Sequence, residues 1–378
     1  MAIEEKFVES DVREALSRVE DPEIGKPITE LDMVESIAID GADVAVGIYL
    51  TIAGCPMRDT IESNTRAVLE ELDGVGNVSV TLHTMSDEQR RALAQKLRGE
   101  QTGPVIPFAD PDTRTRIIAV ASGKGGVGKS SMTVNLATAM AAQGLTVGIV
   151  DADIYGHSVP GLMGSDDKGP TLVDEMLMPP IAHGVRHISV GQFVEGNAPV
   201  VWRGPMLTRA IQQFLADVYW GDLDVLFMDL PPGTGDVAIT VAQLVPNAEL
   251  LIVTTPQAAA AEVAERAGTI AQQTDQKIAG VVENMSGMTM PDGTVVNVFG
   301  EGGGEQVAER LTQLTDSDVE LLGSVPLDPN LRESGDSGTP VVISDPESPA
   351  AKAVLAIVDK LKVRPESLKG KSLNPQVK

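Results

Sequence analysis

Gly123-Lys124-Gly125-Gly126-Val127-Gly128-Lys129-Ser130 stands directly after the apolar run Ile117-Ile118-Ala119-Val120-Ala121 and before a stretch of small and apolar residues. It satisfies G-x-x-x-x-G-K-[ST] in a strand–loop–helix setting, the arrangement that binds a nucleotide's phosphates. Four glycines let the backbone wrap an anion and present successive N–H groups. The helix that follows aims its positive end at the same point. In that chemistry Lys129 reaches the β- and γ-phosphates and the Ser130 hydroxyl ligates Mg²⁺.

Working outward, apolar strands are expected at Ile117 to Ala121, Thr146 to Val150, Val225 to Leu230, Leu250 to Thr254 and Ile278 to Glu283, with one more ending near Val325. Runs apolar at nearly every position mark strands covered on both faces, hence an α/β fold with a mostly parallel sheet and helices on both sides. Asp151-Ala152-Asp153 closes one of these strands and Asp229 another, the latter followed by Leu230-Pro231-Pro232-Gly233-Thr234-Gly235-Asp236. Carboxylates at strand carboxyl ends are where open α/β sheets gather ligands and where such NTPases hold their metal. The Pro-Pro-Gly-Thr-Gly segment is a loop able to change state with the γ-phosphate. Lys124 is an extra feature: a second cation immediately after the first glycine, suited to neutralising charge on the γ-phosphate.

Upstream, residues 1–98 read as a small α+β unit. Val12, Ala15, Leu16 and Val19 recur at helical spacing, Val44, Val46, Ile48, Leu50 and Ile52 alternate as a strand does, and Asp40-Gly41 signals a hairpin. The order predicted is α-β-β-α-β. Residues 99–115 carry three prolines, glycines and no periodicity, and read as a linker. The ATP-binding domain is expected over 116–364, with a mobile tail over 365–378.

Composition bounds the function. The chain has 378 residues, 42% hydrophobic, with 29 Lys+Arg against 54 Asp+Glu for a net charge of -25. Acidity spread along the whole chain repels phosphate backbones and anionic lipid, which argues against nucleic-acid and membrane partners. It reads as a solubility device of the kind a salt-adapted cytoplasm favours. No apolar run approaches membrane-spanning length. The start Met1-Ala2-Ile3-Glu4-Glu5 lacks the basic-then-apolar order of a signal peptide, and one cysteine makes no internal disulfide, so a cytoplasmic location is expected. His83, His157, His183 and His187 show no metal-ligand spacing, and loop or surface roles are expected of them.

These stretches resemble the deviant P-loop ATPases, the clan of MinD, ParA and the nitrogenase iron protein. Within it the chain is similar to the Mrp/ApbC family of iron–sulfur cluster carriers, through ASGKGGVGKSSMTVNLA, VDADIYGHSVP, MDLPPGTGD, TTPQ, VVENMSG, FGEGGGE and GSVPLDPNLRESGDSGTP. The N-terminal unit resembles the small iron–sulfur-assembly domain often fused in front, through EDPEIGKPITELDMV and LTIAGCPMRDTI. The resemblance implies an ATPase that is active as a homodimer and delivers clusters to client apoproteins, working with other assembly factors. It implies that Gly123, Lys124, Gly125, Gly126, Val127, Gly128, Lys129, Ser130 and Ser131 contact ATP. Ser130 would bind Mg²⁺ with Asp151 and Asp229 in its outer shell. Asp153 would position the attacking water and Lys124 would act in trans. Asn284 would read the adenine edge, with Pro326 and Asp328 on the other side.

One departure stands out. The family's C-x-x-C after Asn-Met-Ser is replaced by Gly287-Met288-Thr289-Met290-Pro291-Asp292. A [4Fe–4S] cluster is ordinarily held by four thiolates, whereas two copies of this chain offer only two, both Cys55. Cys55 precedes a helix whose dipole is expected to lower its pKa, which leaves it as the candidate ligand for a transient cluster completed from elsewhere. Two alternatives stay open: a MinD/ParA-like positioning ATPase, and an ATP-driven metallocofactor chaperone that holds no cluster itself.

Overall fold

The computed structural model describes residues 7–52, 54–55, 57–98, 106–153, 156–166, 169–193, 204–233, 236–257, 260–290 and 292–361. The linker stretch 99–105, Thr234 and Gly235 of the Pro-Gly-rich loop, Pro291 and the tail 365–378 lie outside the described residues.

Packing divides the chain into two units. The larger is built on an eight-stranded sheet in the order 321–326, 278–286, 249–254, 116–121, 225–229, 147–151, 185–189, 181–182. Seven strands run parallel, and Ile181–Ala182 closes one edge antiparallel to Val185–Ser189. The parallel strands are buried because helices cover the sheet: Arg116–Ala121, Val147–Asp151 and Val225–Asp229 show hardly an exposed position. The helix Lys129–Ala142 buries Met132, Val134, Leu136, Ala137, Ala139 and Met140, residues that point all round its axis, as expected of a helix with protein on every side.

Topology creates the site. The chain leaves Arg116–Ala121, crosses through the helix Lys129–Ala142, and re-enters the sheet two places away at Val147–Asp151. Val225–Asp229 later fills the gap, pairing with both. The register sets Asp229 opposite Asp151 on one side and Val120 on the other. Two carboxylates and the start of the glycine loop therefore meet at one carboxyl edge, the switch-point position for ligands.

The smaller unit has a three-stranded sheet, Val34–Asp40, Asp43–Leu50 and Val78–Thr84, antiparallel then parallel. Helices Glu9–Leu16, Arg58–Glu70 and Asp87–Arg98 accompany it. Asp40 pairs with Asp43 across the expected hairpin, where Gly41 takes φ 61. The third helix was not in the predicted order. Its signal is polar: Ser86 Oγ accepts from Gln89 N at 3.2 Å while Gln89 Oε1 accepts from Ser86 N at 2.8 Å, a reciprocal N-terminal cap. Apolar periodicity alone passes over it because Leu93 and Ala94 are the only fully buried residues it offers. The hairpin Thr171–Val173/Met176–Met178 also packs with this unit, its Val173, Met176 and Met178 sharing a core with Leu16, Ile48 and Leu69.

The strand Val185–Ser189 was missed as well, because Arg186, His187 and Ser189 break its apolar run. His187, expected in a loop or at the surface, is fully buried, and Ser165 Oγ meets its Nε2 at 2.6 Å.

Phe227, wholly buried midway along the strand that ends in Asp229, is the largest such side chain. Phe227→Ala is expected to cost about 3–5 kcal/mol in equilibrium unfolding by denaturant.

Candidate nucleotide site

The glycine loop owes its shape to side chains that hold its carbonyls. Arg266 Nη1 donates to Gly123 O at 3.1 Å, Ser122 Oγ to Lys124 O at 3.0 Å, and Asn284 Nδ2 to Val127 O at 2.9 Å. In a trans peptide the C=O and the next N–H point opposite ways. Tying these three carbonyls therefore turns the N–H groups of Lys124, Gly125 and Gly128 the other way, which makes them available to an anion. Gly128 takes φ 80, and a Cβ there would stand 2.3 Å from Asn284 Nδ2. Only glycine meets both demands.

Asp229 is the centre of the site. It is wholly buried at the end of its strand. Lys129 Nζ lies 2.8 Å from Oδ1, Ser130 Oγ donates to Oδ2 at 2.5 Å, and Thr133 Oγ1 lies 2.8 Å from Oδ1. Beside it Asp151, also wholly buried, accepts from Ser189 Oγ at 3.0 Å, Val159 N at 3.3 Å and Asp153 N at 3.1 Å. Burial, and then the neighbouring Asp229 charge, push the Asp151 carboxyl well above the usual carboxylate range. Two acids side by side in a buried site cannot both stay charged unless a cation joins them; otherwise one keeps its proton. The donors here are a hydroxyl and carboxylates, hard oxygens that fit Mg²⁺, which keeps several waters and binds through few protein ligands. Thr133, Ser189 and Arg266 were not anticipated. Their partners lie 96, 38 and 143 residues away in sequence, so no local pattern marks them.

The remaining expected residues are placed as follows. Ser131 follows Ser130 in the first turn of the helix Lys129–Ala142. Lys124 is half-buried, and its Nζ donates to Gln257 Oε1. Asp153 follows Asp151 on the same strand end, and its Oδ1 accepts from Gly156 N at 3.1 Å. Asn284 is buried beneath the loop, and its Oδ1 has no hydrogen-bond partner among the described residues. Pro326 ends the strand Leu321–Pro326 and pairs with Ser286, two residues past Asn284. Asp328 spends both oxygens on helix starts, Oδ1 on Asn330 N at 2.9 Å and Oδ2 on Ala350 N at 3.3 Å.

Cys55 departs from expectation. It is buried in the core of the smaller unit. Burial pushes its thiol up to about 11, helped by the charges of Glu23 and Asp21, and a hydrogen bond from the Met57 N–H does not offset this. The helix dipole loses to desolvation and two carboxylates. A thiol so held is protonated and a poor iron ligand. Among the described residues no group of three or more His, Cys, Asp or Glu stands together to hold a metal ion. Nor is any helix among them long and apolar enough to cross a membrane.

Residues 113–362 match the family described as NUBPL iron-transfer P-loop NTPase, and residues 9–80 match the iron–sulfur cluster assembly protein family. An iron–sulfur cluster carrier protein of Mycobacterium tuberculosis is 62% identical over 364 residues, covering 96% of this chain and 95% of the relative. One from Synechocystis is 41% identical over 352 residues, covering 92% and 94%. Among solved structures, a nucleotide-binding protein from Archaeoglobus fulgidus in complex with ADP superposes with a TM-score of 0.52 at 38% identity, covering 59% of this chain and 86% of that one.

The acids around Cys55 yield a pH prediction. Burial, then the Asp21 charge, raise Glu23 from 4.5 to about 7. The folded state then holds a proton that the unfolded chain releases, so the stabilising contribution is full below pH 4.5 and is lost as pH rises through 7. Glu23→Gln is expected to raise the thermal midpoint by about 2–4 °C at pH 8 and to leave it nearly unchanged at pH 4.5, as read by differential scanning fluorimetry.

Proposed function

Because this chain belongs to the Mrp/ApbC family of iron–sulfur cluster carrier P-loop NTPases, we propose that it binds and hydrolyses Mg-ATP as a nucleotide-switched homodimer and helps load iron–sulfur clusters onto client apoproteins. The observation that carries the nucleotide part is the buried set Lys129–Asp229–Ser130 at the mouth of the glycine loop. A buried ion pair is weak evidence for stability, whereas a lysine and a hydroxyl waiting on one carboxylate suit exchange for phosphate and metal. With nucleotide bound, Lys129 would serve the β- and γ-phosphates, and Ser130, backed by Asp229 and Asp151, would hold Mg²⁺. Mg²⁺ supplies neutralisation of phosphate charge. The loop N–H groups hold the phosphates, and Asp153 orients the attacking water.

The unpartnered Oδ1 of buried Asn284 is an acceptor lacking a donor, and the exocyclic amino group of adenine is such a donor. Pro326 lies close by through its pairing with Ser286, and Asp328 shapes that rim by anchoring two helix starts rather than with a free carboxylate. Lys124, exchanged from Gln257, acts in trans on the partner's nucleotide. The domain plan proposed is an assembly-type unit to residue 98, a linker over 99–115 and the ATPase beyond.

The cluster is cargo. With one cysteine in 378 residues, its thiol raised to about 11, this chain is a poor holder of a thiolate-ligated cluster. The thiolates then come from the client, an assembly factor or a small thiol, which brings the function close to that of a metallocofactor chaperone.

Two outcomes are expected. Lys129→Ala lowers affinity for a fluorescent ADP analogue by at least about a hundredfold, while Lys124→Ala binds within about threefold of wild type yet hydrolyses ATP at least about tenfold more slowly. Unchanged turnover in both variants sinks the ATPase mechanism. Anaerobic incubation with iron and sulfide is expected to leave the chain alone without bound cluster, in wild type and Cys55→Ala alike. Adding a thiol-bearing client should yield a client-bound cluster faster with Mg-ATP than without. Stoichiometric, Cys55-dependent iron and sulfide on the chain alone overturns the cargo reading.

A further inference from the structure

At the Asp229 carboxylate the nucleotide site holds a hydroxyl that no part of the proposed chemistry uses. Thr133 sits one helical turn beyond Lys129, is completely buried, and places Oγ1 2.8 Å from Asp229 Oδ1 and 3.0 Å from Lys129 O. Its single proton has two acceptors in reach, one a carboxylate. We propose that Thr133 is the positioning residue that keeps Asp229 aimed at the metal once Lys129 and Ser130 have been handed to the nucleotide, and that it thereby sets the Mg²⁺ requirement of binding. The inference deepens the reading of the site as Mg-nucleotide-binding and rests on it.

Without ligand, Lys129, Ser130 and Thr133 surround the Asp229 carboxylate among the described residues. Lys129 and Ser130 are the two whose chemistry is wanted elsewhere, on phosphate and on metal. Thr133 cannot follow them: it is β-branched and stiff at its first torsion, and the helix backbone carries it with nothing exposed. A buried carboxylate left with no donor pays the desolvation of its charge in full. Asp229 faces Asp151 across the sheet register, and a carboxylate left with no donor is free to rotate away from the site. Thr133 prevents this through one hydrogen bond to a charged group, the stronger kind.

The test is equilibrium binding of a fluorescent ADP analogue by the full chain, titrated with MgCl₂ and repeated in EDTA. For Thr133→Val, the Mg²⁺ concentration at half-saturation is expected to rise about tenfold, the order associated with a hydrogen bond to a charged group. Affinity in EDTA should stay within twofold of wild type. Thr133→Ser keeps the hydroxyl and should titrate like wild type. If the valine variant does not fold, Thr133→Ala takes its place in the same assay, with the same shift expected. A Mg²⁺ titration of the valine or alanine variant that matches wild type overturns the proposal. So does an equal loss of affinity in EDTA, since that marks general damage to the fold. Wild type that binds no analogue, or binds it without regard to Mg²⁺, fails the underlying reading instead and is recognised before any variant is made.

Discussion

The carboxylate of Asp229 is the constraint on which the larger unit depends. It ends the strand that pairs with both Arg116–Ala121 and Val147–Asp151, so its position is set by two ladders of backbone hydrogen bonds. Its own charge is buried among groups contributed by the glycine loop and its helix. An acid in that place is costly unless it is paired. The cost is met by the residues that a phosphate and a metal would later claim. On the proposed reading the site is held ready by a contact that ligand binding would dissolve, and the loop keeps its shape because Arg266, Ser122 and Asn284 hold its carbonyls from outside.

How much of this was legible in the sequence follows from how local each signal is. Gly123 to Ser130, Asp151 and Asp229 announce themselves because loop, strand end and helix start are contiguous in sequence. Six of the seven parallel strands were visible as short apolar runs. Val185–Ser189 was not, because His187 and Ser189 are polar residues made buriable by Ser165 and Asp151, partners visible only in three dimensions. The helix Asp87–Arg98 carried its signal in the Ser86–Gln89 cap rather than in apolar spacing. Cys55 failed in the opposite way. Its local signal is a cysteine before a helix, but what raises its pKa is first its burial in the core and then the charges of Glu23 and Asp21, more than thirty residues earlier.

Some motifs shared with the family acquire a structural reason. In Phe299-Gly300-Glu301-Gly302-Gly303-Gly304-Glu305, a Cβ on Gly303 would lie 2.6 Å from Thr255 O, and Gly304 N donates to buried Glu283 Oε2 at 2.7 Å. The glycines let the helix Gly303–Thr315 begin flush against the backbone beyond Thr254, and Glu283 caps it. Glu283 immediately precedes Asn284. The same strand end therefore fixes a helix on one side and the glycine loop on the other. Conserving that geometry needs no ligand contact from the glycines at all.

The net charge of -25 opposes the approach of a polyphosphate only at a distance. At physiological ionic strength a charge is screened over about 8 Å, so most of the dispersed acids act weakly at the loop. What the phosphates meet at close range is different in sign. Lys129 lies within the site, Lys124 at its rim, and Arg266 on the carbonyl of Gly123. The two nearest acids, Asp151 and Asp229, sit behind the hydroxyl that would carry Mg²⁺, and that ion turns them from repellents into anchors. Global acidity and local affinity are therefore compatible, and on the proposed reading a divalent cation at Ser130 would offset the Asp229 charge next to the phosphates. On that reading a Mg²⁺ requirement of binding would trace to the register that sets Asp229 beside Asp151 at the mouth of the glycine loop.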